Sequence, residues 1–186
     1  MVGTTGVGLA GRRALLALGA TLVASGGGRK LAAQEAGPAL TVTRGPPVPA
    51  PEAQWTTADG TARTLADYAG QAVVLNFWAT WCVPCVAEMP ALDALAYIVS
   101  TEPIAVLALS SDRGGAKAVE RFYAERGVRN LAVLLDPRGT AARAFGSKGI
   151  PTTVLLDRAG QERARVEGAV DWALPASVTR LREIVG

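Results

Sequence analysis

The two cysteines of this 186-residue chain stand three apart, as Cys82-Val83-Pro84-Cys85, inside the stretch FWATWCVPCVAEMP from Phe77 to Pro90. There is no histidine in the sequence, so any chemistry at this stretch proceeds without the usual base or metal ligand. Cys82 follows an apolar run and stands where a helix begins. The unpaired N–H groups of a helix start favour a nearby anion, and so favour a thiolate. A free thiol with a pKa of about 8.5 is roughly 3% thiolate at pH 7, and a shift to about 7 makes it roughly half. Pro84 is tolerated in a first helical turn, where its missing N–H has no partner to lose, and it keeps the two sulfurs close. Cys82 then reads as the sulfur that attacks or is attacked first. Cys85, one turn in and more enclosed, reads as the one that resolves a mixed disulfide. Other uses of the pair stay open. A purely structural disulfide across so short a loop would restrain the unfolded chain by only about 2 kcal/mol. Zinc needs four ligands and would have to borrow carboxylates or a second chain. Two thiolates suit Cu(I), as in a metallochaperone. Glu88, three residues after Cys85, shares a helix face with it. A partly buried carboxylate there would raise thiol pKa values or carry the proton of Cys85, whereas on a solvated face it is surface charge.

The elements that must position these residues show as apolar runs. Val73–Trp78, Ile104–Leu109, Leu131–Leu135 and Thr153–Leu156 are rich in Val, Leu or Ile without alternation, as strands covered on both faces are. Helical spacing lies between them. Val86, Met89, Leu92, Leu95 and Val99 follow the cysteines; Val119, Phe122 and Tyr123 precede a stop at Gly127; Leu174, Val178, Leu181 and Val185 close the chain. Strands alternating with helices predict an α/β fold, a central sheet flanked by helices on both faces. DRAGQ, Asp157 to Gln161, reads as a turn from which QERARVEG returns antiparallel, so the sheet is expected to be mixed. Pro90 is expected to kink the helix after the cysteines and to shape how Glu88 points.

With 49% hydrophobic residues the chain has enough apolar surface for one domain with a sizeable core. Its net charge is +3, but Arg12, Arg13, Arg29 and Lys30 all lie in the first 33 residues, which hold no acid. The other 15 basic residues face 16 acidic ones. No basic stripe interleaved with aromatics remains, which argues against a nucleic-acid partner. In residues 1–33, Arg12-Arg13 is followed by an eleven-residue apolar run from Ala14 to Ala24 and a glycine patch. Such a run is too short for a hydrocarbon core that needs about 20 residues. It fits the apolar region of a twin-arginine export signal cleaved after Ala33, with a basic tail or an uncleaved anchor as alternatives. Residues 34–51, with five prolines, read as an extended linker. The compact domain is expected over residues 52–186.

LNFWATWCVPCVAEMP, taken with GIPTTVLLD from Gly149 to Asp157, resembles the thioredoxin superfamily. Within it the likeness is to the exported thiol:disulfide interchange proteins of the TlpA/ResA kind, over roughly Glu52 to Gly186. The resemblance implies a thioredoxin-like fold, an exposed nucleophile at Cys82, a buried resolving thiol at Cys85, and a catalytic role for Glu88, the acid of the family pattern C-x-P-C-x-x-E-x-P. Taken alone, an Ile-Pro bond is cis in only about 5–6% of cases. The resemblance implies that Pro151 is cis beside the cysteines and that the backbone of Ile150 pairs with an extended client peptide. Trp78 is expected in the core, and Trp81 over the active site as part of the partner surface. Asn76 stands where many thioredoxins carry a buried aspartate, and it cannot titrate. The activity implied is reduction of disulfides in periplasmic client proteins, such as cytochrome c or cytochrome oxidase assembly components. The protein is expected to be a monomer that needs no cofactor or metal beyond the Cys82–Cys85 couple, recharged by a membrane electron donor of the DsbD or CcdA type. A disulfide-forming oxidant of the same fold is the alternative.

Overall fold

The computed structural model describes Leu40, residues 42–43 and residues 45–186; the expected export signal, residues 1–33, lies outside them. Short strands Val48–Pro49 (β1), Gln54–Thr57 (β2) and Ala62–Thr64 (β3) come first, with a 3-10 turn at Leu65–Tyr68. Then follow Ala72–Trp78 (β4), Val83–Ile98 (α1), Ile104–Ser110 (β5), Gly115–Arg126 (α2), Leu134–Leu135 (β6), Thr140–Ala144 (α3), Thr152–Leu156 (β7), Gln161–Glu167 (β8) and Pro175–Val185 (α4). The strands form one mixed sheet in the order β1-β8-β7-β4-β5-β6-β2-β3. β4 runs parallel to β5 and antiparallel to β7.

All seven residues of β4 are buried, because the two faces of the strand meet different cores. Val74 and Trp78 join Met89, Leu92 and Leu95 of α1, Val119 and Phe122 of α2, and Leu181 and Ile184 of α4. Val73, Leu75 and Phe77 join Trp55, Ala141 and Phe145 on the other side. Side chains alternate along a strand, so two cores make a non-alternating sequence. Each fully buried Leu or Met contributes about 1.5–3 kcal/mol by removal from water. Asn76 shares the parity of Val74 and Trp78, so it faces α1.

Two expectations are corrected. The run Leu131–Leu135 is a strand only over its last two residues, where it lies between β5 and β2. The proline-rich stretch read as a linker is extended, but over its described residues it is docked on β8. Thr43 exchanges two backbone hydrogen bonds with Arg165, at 2.9 and 3.1 Å. β1 pairs with Glu162 and Gln161, and Leu40 and Val42 pack against the core. An edge strand tolerates proline, which has no N–H to offer its neighbour, so the prolines that suggested a spacer also suit a sheet edge.

Candidate active site

β4 ends at Trp78, held between Phe122 and Tyr123 with ring centroids at 5.2 and 5.9 Å. A four-residue turn then delivers Cys82 as the N-cap of α1. The turn is clamped from β5. Thr80 donates its N–H and its hydroxyl to the Asp112 carboxylate at 2.8 and 2.6 Å, and the Ser110 hydroxyl donates to the same group at 2.7 Å. Asp112 is missing from the sequence reading. Its only sequence signal is an acid two residues beyond the end of an apolar strand.

Cys82 and Cys85 form a disulfide with Cα atoms 5.2 Å apart. The Cys85 N–H points at the Cys82 sulfur at 3.3 Å, as the helix-start argument requires. Pro84 lies in the first turn, and α1 continues through Pro90 to Ile98. The Cys82 sulfur also lies 3.7 Å from the Ile150 carbonyl, an oxygen to which a reduced thiol has a proton to donate. The Ile150–Pro151 bond is cis. Its loop is fixed by the Ser147 and Thr152 hydroxyls, both donating to Gly149 O, and by Gly168 N–H donating to Pro151 O. The structure thus brings Cys82, Cys85, Ile150 and Pro151 together.

Cys82 is less open than expected, at 6% exposure against 0% for Cys85, because the Ile150 loop roofs its sulfur in the disulfide form. Exposure belongs to its neighbours instead. Trp81, expected over the site, is 68% exposed, and Val83 is 80% exposed.

Glu88 is buried behind the pair at 3% exposure. One carboxylate oxygen accepts from the Asn76 side-chain amide at 2.6 Å and the other from Val170 N–H at 3.0 Å. Burial pushes its pKa up from 4.5 to about 7, against the pull of those two donors and a weaker one from the Trp172 indole, whose N–H has no partner at hydrogen-bonding geometry. Asn76 also donates to Thr153 Oγ1 at 2.9 Å. The aspartate that many thioredoxins carry in this strand is thus replaced by an amide that steadies an acid on the facing helix.

Among the described residues no three His, Cys, Asp or Glu side chains group as metal ligands do. A cavity of about 780 Å3 lined by Ala53, Leu65, Tyr68, Val73, Asp157 and Gly160 touches neither cysteine.

The Redoxin family model matches residues 43–179. The thiol-disulfide oxidoreductase ResA of Geobacillus thermodenitrificans (strain NG80-2) is 32% identical over 121 residues, 65% of this chain and 68% of that protein. The thioredoxin-like protein YneN of Bacillus subtilis (strain 168) is 34% identical over 113 residues, 60% of this chain and 65% of that one. Among solved structures, the pneumococcal exposed lipoprotein thioredoxin Etrx1 of Streptococcus pneumoniae strain TIGR4 superposes with a TM-score of 0.58 at 29% identity, covering 71% of this chain and 98% of that one. The mixed sheet, the cysteine pair at a helix start and these likenesses agree, and the chain belongs to the Redoxin family of the thioredoxin superfamily, as a ResA-like thiol-disulfide oxidoreductase that works through a cysteine pair.

Proposed function

We propose that the chain is an exported reductant of disulfides in other proteins. The observation that carries this reading is the arrangement around the pair: Cys82, 6% exposed beneath the Ile150 loop, is flanked in the chain by exposed Trp81 and Val83, while Cys85 is fully buried behind it. In the reduced protein the Cys82 thiolate attacks one sulfur of a client disulfide, and the other client sulfur leaves as a thiolate and takes a proton. Cys85 gives its proton to Glu88 and attacks Cys82, which releases the second client thiol. Two electrons pass, and the pair ends as the disulfide seen here. Ile150 offers its backbone to the client beside the sulfur, and Pro151 has no N–H to bond a nearby thiolate. Glu88, as a buried carboxylate, disfavours thiolates, which makes the dithiol a better electron donor.

Export is supported by the Arg12-Arg13 segment, and by the likeness to the pneumococcal exposed lipoprotein thioredoxin Etrx1. In an oxidising compartment a reductant must be recharged, which calls for a membrane electron donor of the DsbD or CcdA type. The clients proposed are cytochrome c or cytochrome oxidase assembly components with cysteine pairs, met by a monomer. The test is the reduction potential of the pair, by equilibration with thiol buffers. A value at or below about −270 mV, that of thioredoxin, supports a reductant. One near about −120 mV, that of a strong oxidant, overturns the direction. Trapping tests the roles: Cys85→Ser is expected to accumulate mixed disulfides with clients and Cys82→Ser is not, and equal trapping would reject the assignment.

A further inference from the structure

We infer that Asp112 is a positioning residue for the cysteine pair, clamping the turn that leads to Cys82, and that the negative charge it holds at that turn sets the reducing strength of the pair. Asp112 is 4% exposed. One of its carboxylate oxygens takes the Thr80 N–H and the Ser110 hydroxyl, and the other takes the Thr80 hydroxyl. Its own N–H donates to Ser110 Oγ at 3.0 Å. Two hydrogen bonds thus tie Asp112 to Thr80, two positions before Cys82, and two more between Ser110 and Asp112 hold the carboxylate in place. Secondary structure alone does not need them: β4 ends at Trp78 and α1 starts at Val83, and the clamp fixes the turn between.

The charge has few competitors. Asp112 forms no ion pair among the described residues. Arg113, next in the chain, and Lys148, in the loop that carries Ile150, are both exposed, where water screens them. Glu88, three residues after Cys85 on α1, is a second buried acid. A carboxylate in a poorly solvated setting disfavours a second anion close by. The thiolate at Cys82 is thereby destabilised, and with it the reduced protein to the extent that Cys82 is ionised, so the pair gives up electrons more readily.

Asp112→Asn separates clamp from charge. The amide nitrogen takes the place of the oxygen facing the Thr80 hydroxyl and donates to it, while the remaining oxygen keeps its two donors. Made in the full chain, this variant is expected to shift the equilibrium with glutathione threefold or more toward the dithiol and to lower the pH midpoint of Cys82 alkylation, with unfolding of the oxidised protein unchanged. Asp112→Ala is expected to show the same redox shift together with a lower unfolding midpoint. If Asp112→Asn leaves both the equilibrium and the alkylation profile at their wild-type values, the residue is structural only and the inference fails. Thr80→Val loosens the clamp and keeps the charge. Its alkylation midpoint is expected to stay, and a shift as large as that of Asp112→Asn would assign the effect to geometry and overturn the role of charge. The inference rests on Cys82–Cys85 being the redox couple, not on the direction proposed above. A wild-type potential in the oxidant range would defeat that direction and leave the difference between variants intact.

Discussion

A glutamate at 3% exposure, held by one amide and one backbone N–H, is costly to ionise. Its pKa is about 7 in the fold against 4.5 for the free group, chiefly because of burial. Between those values the folded protein binds a proton that the unfolded chain has lost, so stability falls as pH rises through the window. The full difference is about 3 kcal/mol. Glu88→Gln is expected to abolish this loss. Wild-type and variant unfolding free energies, compared by denaturant titration from pH 4.5 to 8, should diverge in the variant's favour as pH rises, and parallel curves would show that Glu88 does not titrate there. Position three after Cys85 was enough to single out Glu88 in the sequence. Its partners were hidden, because Asn76 precedes it by 12 positions and Val170 follows it by 82. Asp112 was hidden for the same reason, 32 positions from Thr80. Contacts that long leave no local pattern, and the cis bond before Pro151 came from the family resemblance, not from the residues.

Elements were legible where burial is two-sided and the period long. β4, β5 and β7 show as unbroken apolar runs, and α1, α2 and α4 as helical spacing. β2, β3 and α3 were not, since they span three to five residues and are largely half-exposed; their pairing is decided by the sheet they complete. The end of α2 shows how a local signal reaches the site. Gly127 adopts φ 70° as its C-cap, and both it and Val128 donate to Tyr123 O. That stop fixes Phe122 and Tyr123 against Trp78, the last residue before the turn to Cys82. A side chain in this left-handed conformation costs about 1–2 kcal/mol. Gly127→Ala should lower unfolding stability by about that much while leaving the potential of the pair within error. A shifted potential would mean that the aromatic stack, and not only the Asp112 clamp, sets the geometry of the cysteines.

At the scale of the whole molecule, the boundary of the domain is the point on which sequence and structure part. Composition placed it at Glu52, since prolines and scarce apolar residues mark a spacer, yet the described residues from Leu40 onward are built into the β8 edge. Removing them strips the backbone hydrogen bonds of Thr43 with Arg165 and of Ala50 with Gly160 together with the β1–β8 pairing, and uncovers the core beside Leu40 and Val42. Each hydrogen bond contributes about 0.5–1.5 kcal/mol net, and each half-buried apolar side chain about 1 kcal/mol. The entropy of ordering the segment offsets part of this. A net loss of about 2 kcal/mol corresponds to a fall in Tm of about 5–10 °C for a domain of this size. A chain beginning at Glu52 should therefore melt lower by that amount than one beginning at Leu40. It should also self-associate, because the N–H and C=O groups of β8 are then an open edge for a second copy. Calorimetry and light scattering on the two versions check both effects. Equal melting temperatures with both versions monomeric would return residues 40–51 to the role of a spacer between the domain and whatever the N-terminal segment engages.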